Sequence, residues 1–425
     1  MIEVRPLGDL LDTLIDYRGR TPQKTDSGVP LITAKVIKGG RIASDKLEFI
    51  AEEAYDAWMR RGLPRPGDIL ITTEAPLGEV AQIGDDAKVA LAQRVILLRP
   101  DRREVDPQFL FHYLRSPEAQ GRLRRRASGT TVSGIRQPEL RAVEISLLAR
   151  TDQEKVSLIL DSLDDLVENN RRRIDLLEQM AQAIYREWFV NFRYPGYENA
   201  IFIDSPVGLV PDDWEIKRLG DIIEVDKGLS YKGSYLTETG VPMANLKCFR
   251  PGGGFRRDGT KPYSGPFKPK HEVFPGDLIV ANTDLTQAGA VIGSPALVPR
   301  RGFESGGIIS HHLFAIRSVE RELLPWLFEL FHDDRFRSYA RGVASGTTVL
   351  GFRPADLLSY QLACPPEPLW KAFGNVAENL FRNAEDLSEA SDHLVDIRGL
   401  LLPRLVTGRI DVSSLDLDSV VEFVA

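Results

Sequence analysis

The chain has 425 residues, of which 43% are hydrophobic and 27% are charged, and its formal net charge is −7 at pH 7. These values are typical of a folded protein, and they argue against a disordered chain or a uniformly basic coat for nucleic acid. The two cysteines are too few for a disulfide framework or a cysteine-based zinc site, which favours a reducing, cytoplasmic compartment.

The length predicts two or three domains with substantial cores. The first residues lack the apolar run of a signal peptide, and no stretch approaches about 18 uninterrupted apolar residues. We therefore expect neither export nor membrane insertion.

An internal duplication runs through the chain. Residues 127–134 and 344–351 share seven of eight positions around the sequence Ala-Ser-Gly-Thr-Thr-Val. Two further tripeptides recur in the same order, Pro-Gly-Asp at residues 66–68 and 275–277, and Leu-Gly-Asp at residues 7–9 and 219–221. A repeat spanning roughly residues 1–195 therefore recurs in roughly residues 212–410, which indicates a tandem duplication.

Each repeat begins with a strand-rich part. In about its first 145 residues, short β-branched runs alternate with turn signals, as in residues 68–73 and 94–98, and this predicts an α+β domain. One helix is predicted near residues 106–126 of the first repeat and one near residues 323–341 of the second. Each helix leads into a Ser-Gly-Thr-Thr loop.

A long helix is predicted after each strand-rich part. Residues 152–191 contain no Gly or Pro and carry apolar residues at helical spacing, which predicts one amphipathic helix of roughly 60 Å. Thr151 is expected to open this helix as part of a capping box. A similar pattern in residues 368–410 predicts a second helix, which Gly399 and Pro403 should interrupt late.

The two apolar stripes are complementary. Because a stripe of this length is unfavourable in water, we expect the two helices to pack as an intramolecular antiparallel coiled coil. The predicted fold is α+β, with two strand-rich domains separated by two long helices in a pseudo-twofold tandem repeat. A helix pair of this length could hold two recognition domains on one DNA duplex, because the helical repeat of B-DNA is about 34 to 36 Å.

Catalytic constellations are missing from the sequence. The six histidines lack the spacings of zinc sites, so we predict no metal site and no catalytic residue in this chain. His311, beside His312 and after a Gly-Gly pair, could contact a phosphate or a base edge. Packing near a strand is the commoner role for such a pair.

Polar loops at matching places in the two repeats are the candidate DNA contacts, because cations and hydroxyl groups suit phosphates and base edges. Solvated loops, caps and turns are the alternative. The candidates in the first repeat are Arg18, Arg20, Thr21, Lys24, Thr72, Thr73, Ser128, Thr130, Thr131 and Arg136. Those in the second repeat are Lys227, Tyr231, Lys232, Asn282, Thr283, His311, Ser345, Thr347, Thr348 and Arg353.

With these landmarks, the chain resembles the specificity subunit of type I restriction-modification enzymes over essentially its whole length. Residues 177–189 and 402–408 resemble the two conserved helical regions of that family. The resemblance implies target recognition domains at residues 1–150 and 216–367, helical regions at 151–192 and 368–410, a linker at 193–215 and an acidic tail at 411–425.

The resemblance also implies a function. Each recognition domain would read one half of a bipartite, asymmetric DNA site, and the helices would set the unread spacer. Partners would be double-stranded DNA, two modification subunits that methylate adenine N6 with S-adenosylmethionine, and restriction subunits that use ATP and Mg. The candidate partner contacts are Ile184, Tyr185, Trp188, Phe189, Leu402 and Leu405. An orphan DNA-binding module or regulator without enzyme partners is the alternative.

Overall fold

The structure is a computed structural model that describes residues 2–17, 21–43, 47–84, 88–129, 133–285, 289–318, 320–347 and 349–416. Its contacts divide the chain into two compact units. Unit 1 comprises Met1–Glu168 and Ser391–Ala425, and unit 2 comprises Asn169–Ala390. Within the described ranges, no helix is both long and apolar enough to span a membrane.

Unit 1 contains eleven of the strands that the structure describes. They are β1 (Glu3–Pro6), β2 (Leu11–Asp16), β3 (Val29–Ile32), β4 (Ile37–Lys38), β5 (Arg41–Ile42), β6 (Glu48–Ile50), β7 (Ile69–Thr73), β8 (Leu77–Gln82), β9 (Ala90–Leu91), β10 (Val95–Pro100) and β11 (Glu144–Leu147). Its short helices are α1 (Tyr55–Trp58), α2 (Pro107–Arg115), α3 (Pro117–Arg126) and α4 (Gln137–Arg141).

The central sheet of unit 1 has the strand order β2-β10-β7-β8, with antiparallel pairing throughout. Side chains of β10 alternate between its two faces. Ile96 and Leu98 lie in a core with α2 and α3, whereas Val95 and Leu97 lie in a second core with β3 and β9. Both faces of this sheet are therefore buried, which explains the continuous apolar run in β10.

Unit 2 repeats this plan. Its strands are β12 (Phe202–Ser205), β13 (Gly208–Pro211), β14 (Glu215–Arg218), β15 (Ile223–Lys227), β16 (Leu236–Ala244), β17 (Lys261–Tyr263), β18 (Glu272–Val273), β19 (Leu278–Ala281), β20 (Thr283–Asp284), β21 (Pro295–Leu297), β22 (Gly307–Ile309), β23 (Leu313–Ser318), β24 (Leu350–Gly351) and β25 (Gln361–Cys364). The order β15-β23-β19-β21 matches that of the central sheet in unit 1.

The helix predicted before each Ser-Gly-Thr-Thr loop is in fact two helices. In unit 1 the break lies at Ser116, because Pro117 disfavours a helical residue before it and the Ser116 hydroxyl accepts from the Ala119 amide. In unit 2, Asp333 likewise separates α6 (Leu324–His332) from α7 (Asp334–Val343). The shorter α8 (Pro354–Leu358) follows the loop.

The long helices are α5 (Arg150–Tyr185), which ends in a π-helical turn, and α9 (Glu367–Leu405). The predicted capping box at Thr151 is wrong, because the helix already includes Arg150. The predicted interruption of α9 is also wrong. The helix continues through Gly399 and contains Pro403 in its last turn.

The long helices pack against each other in an antiparallel sense. In unit 1, Val156 and Leu160 from the start of α5 lie in one buried cluster with Leu402 and Leu405 from the end of α9. In unit 2, the end of α5 and the start of α9 share a second cluster, where the ring of Phe189 meets that of Phe373. The expected α+β fold with a paired-helix element is therefore confirmed.

The long helix α5 contacts α2 in unit 1 and α6 in unit 2, and the two contacts differ in one residue. On α2, His112 lies 2.7 Å from Asp161 of α5. The equivalent residue on α6 is Glu329, which is 2% exposed. Burial, and then the charge of Glu178 on α5, raise the pKa of Glu329 to about 8. This carboxyl group is therefore protonated in the folded chain at neutral pH.

This proton makes the stability of unit 2 depend on pH. Between its ordinary pKa of 4.5 and about 8, the Glu329 carboxyl is protonated when folded and ionised when unfolded, so stability falls as pH rises. His332, whose pKa burial lowers to about 4, acts in the opposite sense only below 6.5. Raising the pH from 6.5 to 8 should lower the free energy of unfolding by about 2 kcal/mol through Glu329.

Chemical denaturation at the two pH values measures this difference. Glu329→Gln should remove most of it, whereas Glu322→Gln, at an exposed position of the same unit, should leave it unchanged. An equal pH dependence in the wild type and Glu329→Gln would contradict the assignment.

Candidate nucleic-acid interface

The Ser-Gly-Thr-Thr loop of unit 2 is a closed hairpin. The Ser345 amide donates to the Gly351 carbonyl at 2.9 Å, and the Gly351 amide donates back at 3.0 Å. Gly346 adopts a φ of +134°, where a Cβ atom would lie 2.0 Å from the Val349 carbonyl oxygen. The glycine is therefore required by the geometry of the loop.

This hairpin is attached to the end of strand β19, because the amide of Phe352 donates to the carbonyl of Asn282 at 3.0 Å. Unit 1 has the same arrangement. Ser128 and Gly134 exchange two hydrogen bonds of 2.9 Å, and the amide of Ile135 donates to Thr73 at 3.0 Å. The Ser-Gly-Thr-Thr loop and the strand end, which are separate candidates in the sequence, are thus joined by a backbone hydrogen bond in both units.

A third predicted segment reaches the same place in unit 2. The Leu229 amide donates to Ile309 at 2.8 Å, and the His311 amide donates to Leu229 at 2.9 Å. Gly228 is needed here, since a Cβ atom on it would lie 2.2 Å from the Ser310 carbonyl oxygen. The ring of Tyr231 lies 6.1 Å from that of His311.

The third and second segments are connected through Asn282. Its amide donates to the His312 carbonyl at 2.9 Å, and its side chain donates to the His311 carbonyl at 3.2 Å. The side chain of Thr283 lies 2.8 Å from Nδ1 of His312. We call the surface formed by these three segments the polar edge of unit 2.

The polar edge of unit 1 is built from the equivalent segments. The amide of Thr73 donates to the carbonyl of Arg94 at 2.9 Å. Beside this bond lies a pocket of about 150 Å³, whose lining includes Thr21 and Lys24. Lys24 pairs with Glu48 at 2.8 Å. The candidates Arg18, Arg20, Thr130, Thr131 and, in unit 2, Thr348 lie outside the described residues.

The structure separates the described candidates by accessibility. Exposed candidates are Thr21, Lys24, Ser128, Arg136, Lys227, Lys232, Ser345, Thr347 and Arg353. Three others, Thr72, Thr73 and Asn282, are at most 2% exposed. Their side chains bond within the fold, as when the Thr72 hydroxyl accepts from the Glu79 amide, so in this structure they support the edge from inside.

The structure also shows which residues at the two strand ends are equivalent. Equivalent hydrogen bonds and bridges show that Thr73 corresponds to Asn282 and Glu74 to Thr283. Sequence reasoning did not identify Arg94 as an edge residue, whereas His312 stands beside the candidate His311 and Glu74 beside the candidate Thr73. The constant offset of the Pro-Gly-Asp sequences was the signal that could have identified Glu74.

Most candidate contacts with partner subunits belong to the chain's own cores. Tyr185 and Phe189 are buried in unit 2, and Leu402 and Leu405 are buried in unit 1. Ile184 and Trp188 are half-buried against the core of unit 2. The apolar pattern that suggested these residues is thus used in the intramolecular helix packing.

The two histidines of the edge in unit 2 carry no charge at neutral pH. Burial lowers the pKa of His311 and of His312 below the ordinary value, and the positive charge of Lys227 adds to the effect in both. Neutral imidazoles can both donate and accept hydrogen bonds. Among the described residues, no cluster of His, Cys, Asp or Glu could hold a metal ion.

Comparisons with known proteins agree on one family. Residues 2–179 match the family model "Type I restriction modification DNA specificity domain". The chain is 24% identical to the type I restriction enzyme MjaIX specificity subunit of Methanocaldococcus jannaschii, over 86% of this chain and 82% of that protein. It is 22% identical to the HindI specificity subunit of Haemophilus influenzae, over 81% of this chain and 87% of that protein.

A solved structure has a similar fold. It is the S subunit of a type I restriction-modification system from M. genitalium, with a TM-score of 0.55 and 15% sequence identity. The match covers 95% of this chain and 96% of the other.

The glycine of the closed hairpin provides a test of the polar edge. Gly346→Ala should force the loop to rearrange, because the added methyl group would collide with the Val349 carbonyl. The amides of Ser345 and Gly351 should then exchange their hydrogens faster, as measured by hydrogen–deuterium exchange. Gly342→Ala is the matched control, since no atom lies within 4 Å of the added methyl group. Unchanged protection in Gly346→Ala would contradict the assigned loop geometry.

Proposed function

We propose that this chain is a sequence-specific DNA-binding specificity subunit, which is supported by the match of residues 2–179 to the family model of the type I restriction modification DNA specificity domain. Each repeat reads one half of a bipartite, asymmetric DNA site. The observation that carries this proposal is the pair of polar edges, which share one hydrogen-bonded backbone arrangement and present different side chains.

Such an edge suits DNA recognition. Backbone hydrogen bonds fix the positions of the Cα atoms on the edge. The side chains can therefore contact base edges with little further loss of conformational entropy. Exposed cations lie on or beside the edges, with Lys227 and Lys232 in unit 2 and Lys24 in unit 1. Cations of this kind neutralise phosphates without reading sequence, whereas the neighbouring polar groups can read bases.

The long helices set the unread spacer and dock the partners. The proposed recognition domains are residues 1–150 and 216–367, and the proposed helical regions are residues 151–192 and 368–410. Buried residues of the helices cannot serve as docking contacts. Exposed apolar side chains on the same helices, such as Leu176, which is 58% exposed, and Leu400, which is 65% exposed, support a partner-binding role.

Catalysis belongs to the partners in this proposal. Two modification subunits with S-adenosylmethionine methylate adenine, and restriction subunits use ATP and Mg for cleavage in the cytoplasm. Gel filtration of the chain mixed with a modification subunit should give a stable complex. Separate elution of the two proteins, with specific DNA binding retained, would favour an orphan DNA-binding module or regulator.

The lysines of the edge in unit 2 test the DNA-binding role. Replacing Lys227 and Lys232 together by Ala should weaken binding to all DNA sequences by a similar factor. The slope of log K against log salt should become shallower by up to about 0.9 for each lysine, because fewer counterions are released.

The matched control replaces Lys268 and Lys270, which are also exposed in unit 2 and lie outside the polar edge. This variant has the same net charge, so a general charge effect would change both variants equally. An unchanged salt slope after replacement of Lys227 and Lys232 would contradict the proposed interface.

A further inference from the structure

We infer that two side-chain pairs determine the base read at equivalent positions of the two half-sites, Glu74 with Arg94 in unit 1 and Thr283 with His312 in unit 2. This inference rests on the proposed function and deepens it by naming the residues that distinguish the two halves. The sequence singles out Thr283 and the His311-His312 pair, but it identifies neither Arg94 nor the pairing of these side chains.

The two pairs occupy equivalent backbone positions. The residue before Glu74 donates its amide to the Arg94 carbonyl at 2.9 Å, and the residue before Thr283 donates to the His312 carbonyl at the same distance. Glu74 lies opposite Gly134 in a β-bridge, and Thr283 lies opposite Gly351. The backbone positions that carry the two side chains are therefore equivalent in the two units.

Within each pair the two side chains are in direct contact. Arg94 Nε lies 2.7 Å from Oε1 of Glu74, and the Thr283 hydroxyl lies 2.8 Å from Nδ1 of His312. The spacing is the same although the chemistry differs. An ion pair in unit 1 has become a neutral hydrogen-bonded pair in unit 2.

The hairpin leaves room for these side chains. A Cβ atom on Gly134 would lie 3.3 Å from a Glu74 carboxylate oxygen, and one on Gly351 would lie 3.2 Å from the Thr283 methyl carbon. Both distances are shorter than ordinary contacts, so the glycines let each pair pack against its loop. A Thr at position 74 should therefore fit, since the equivalent site already accommodates one.

A second ion pair shows what the fold itself retains. Asp68 of the first Pro-Gly-Asp sequence pairs with Arg99 at 2.7 Å, and the equivalent Asp277 pairs with Arg317 at 3.1 Å. This partly buried pair is the same in both units, whereas the pair at the polar edge has changed completely. The difference is expected if the edge pair contacts a ligand that differs between the two halves.

The pair in unit 1 has the donors and acceptors to read a G·C base pair. A guanidinium group matches the O6 and N7 acceptors of guanine, and a carboxylate accepts from N4 of cytosine. The Arg94 and Glu74 side chains are 48% and 39% exposed, so both can reach an adjacent duplex. Thr283 and neutral His312 each donate and accept, which favours a different base in the other half-site.

The test exchanges the pairs in the full-length chain and selects bound sequences from a randomised duplex library. Glu74→Thr with Arg94→His should remove the preference for G·C at one position of one half-site, with discrimination falling roughly tenfold or more. Thr283→Glu with His312→Arg should change one position of the other half-site only. The spacer and all other positions should stay as in the wild type.

The control variant changes the ion pair of Arg5 with Glu104, which lies in unit 1 away from the edge and joins charged atoms 2.6 Å apart. Its substitutions are of the same kind, Glu104→Thr with Arg5→His. It should select the wild-type sequence. Circular dichroism and the thermal midpoint establish that each variant is folded.

The possible outcomes separate the inference from the proposed function. Specific binding by the edge variants with unchanged preferences overturns the inference and leaves the specificity role intact. Folded edge variants that lose all sequence preference, in both half-sites, also overturn it, because the pairs would then be structural. A wild-type chain that selects no bipartite sequence overturns the proposed function and the inference together.

Discussion

The structure depends on burying two apolar stripes that neither long helix can cover alone. Burial of one large apolar side chain contributes about 1.5–3 kcal/mol, and each stripe carries many. The start of α5 completes its core with Leu402 and Leu405 from the end of α9. The end of α5 completes its core with Phe373 near the start of α9. Both units therefore require both helices, so each strand-rich part is built onto the helix pair and is not merely tethered to it.

The duplication then supplies two copies of one polar edge. In each copy, backbone hydrogen bonds join the Ser-Gly-Thr-Thr hairpin to the end of a buried strand. These bonds do not depend on the side chains they position, so the side chains can differ without loss of the fold. The contrast between the retained Asp68–Arg99 pair and the changed edge pair follows from this division. Under the proposed function, this division lets the two copies read different half-sites.

The sequence predicts the features that depend on periodicity and repetition, namely the duplication, the long helices and the antiparallel pairing. It does not show which neighbour covers an apolar face, so Tyr185 and Phe189 resembled docking residues although the chain buries them itself. Thr72 and Thr73 at the end of β7 are both buried, whereas the next residue, Glu74, is partly exposed. The sequence does not show at which residue this change occurs. Arg94 reaches the edge through tertiary contacts, which no local pattern in the sequence reveals.

The most direct test of two readers in one chain is a map of methylated adenines in a host that expresses the complete modification system with this chain. The account predicts one bipartite, asymmetric sequence, in which two different specified halves flank an unread spacer of fixed length. A continuous or palindromic recognition sequence, or methylation that does not depend on this chain, would contradict it.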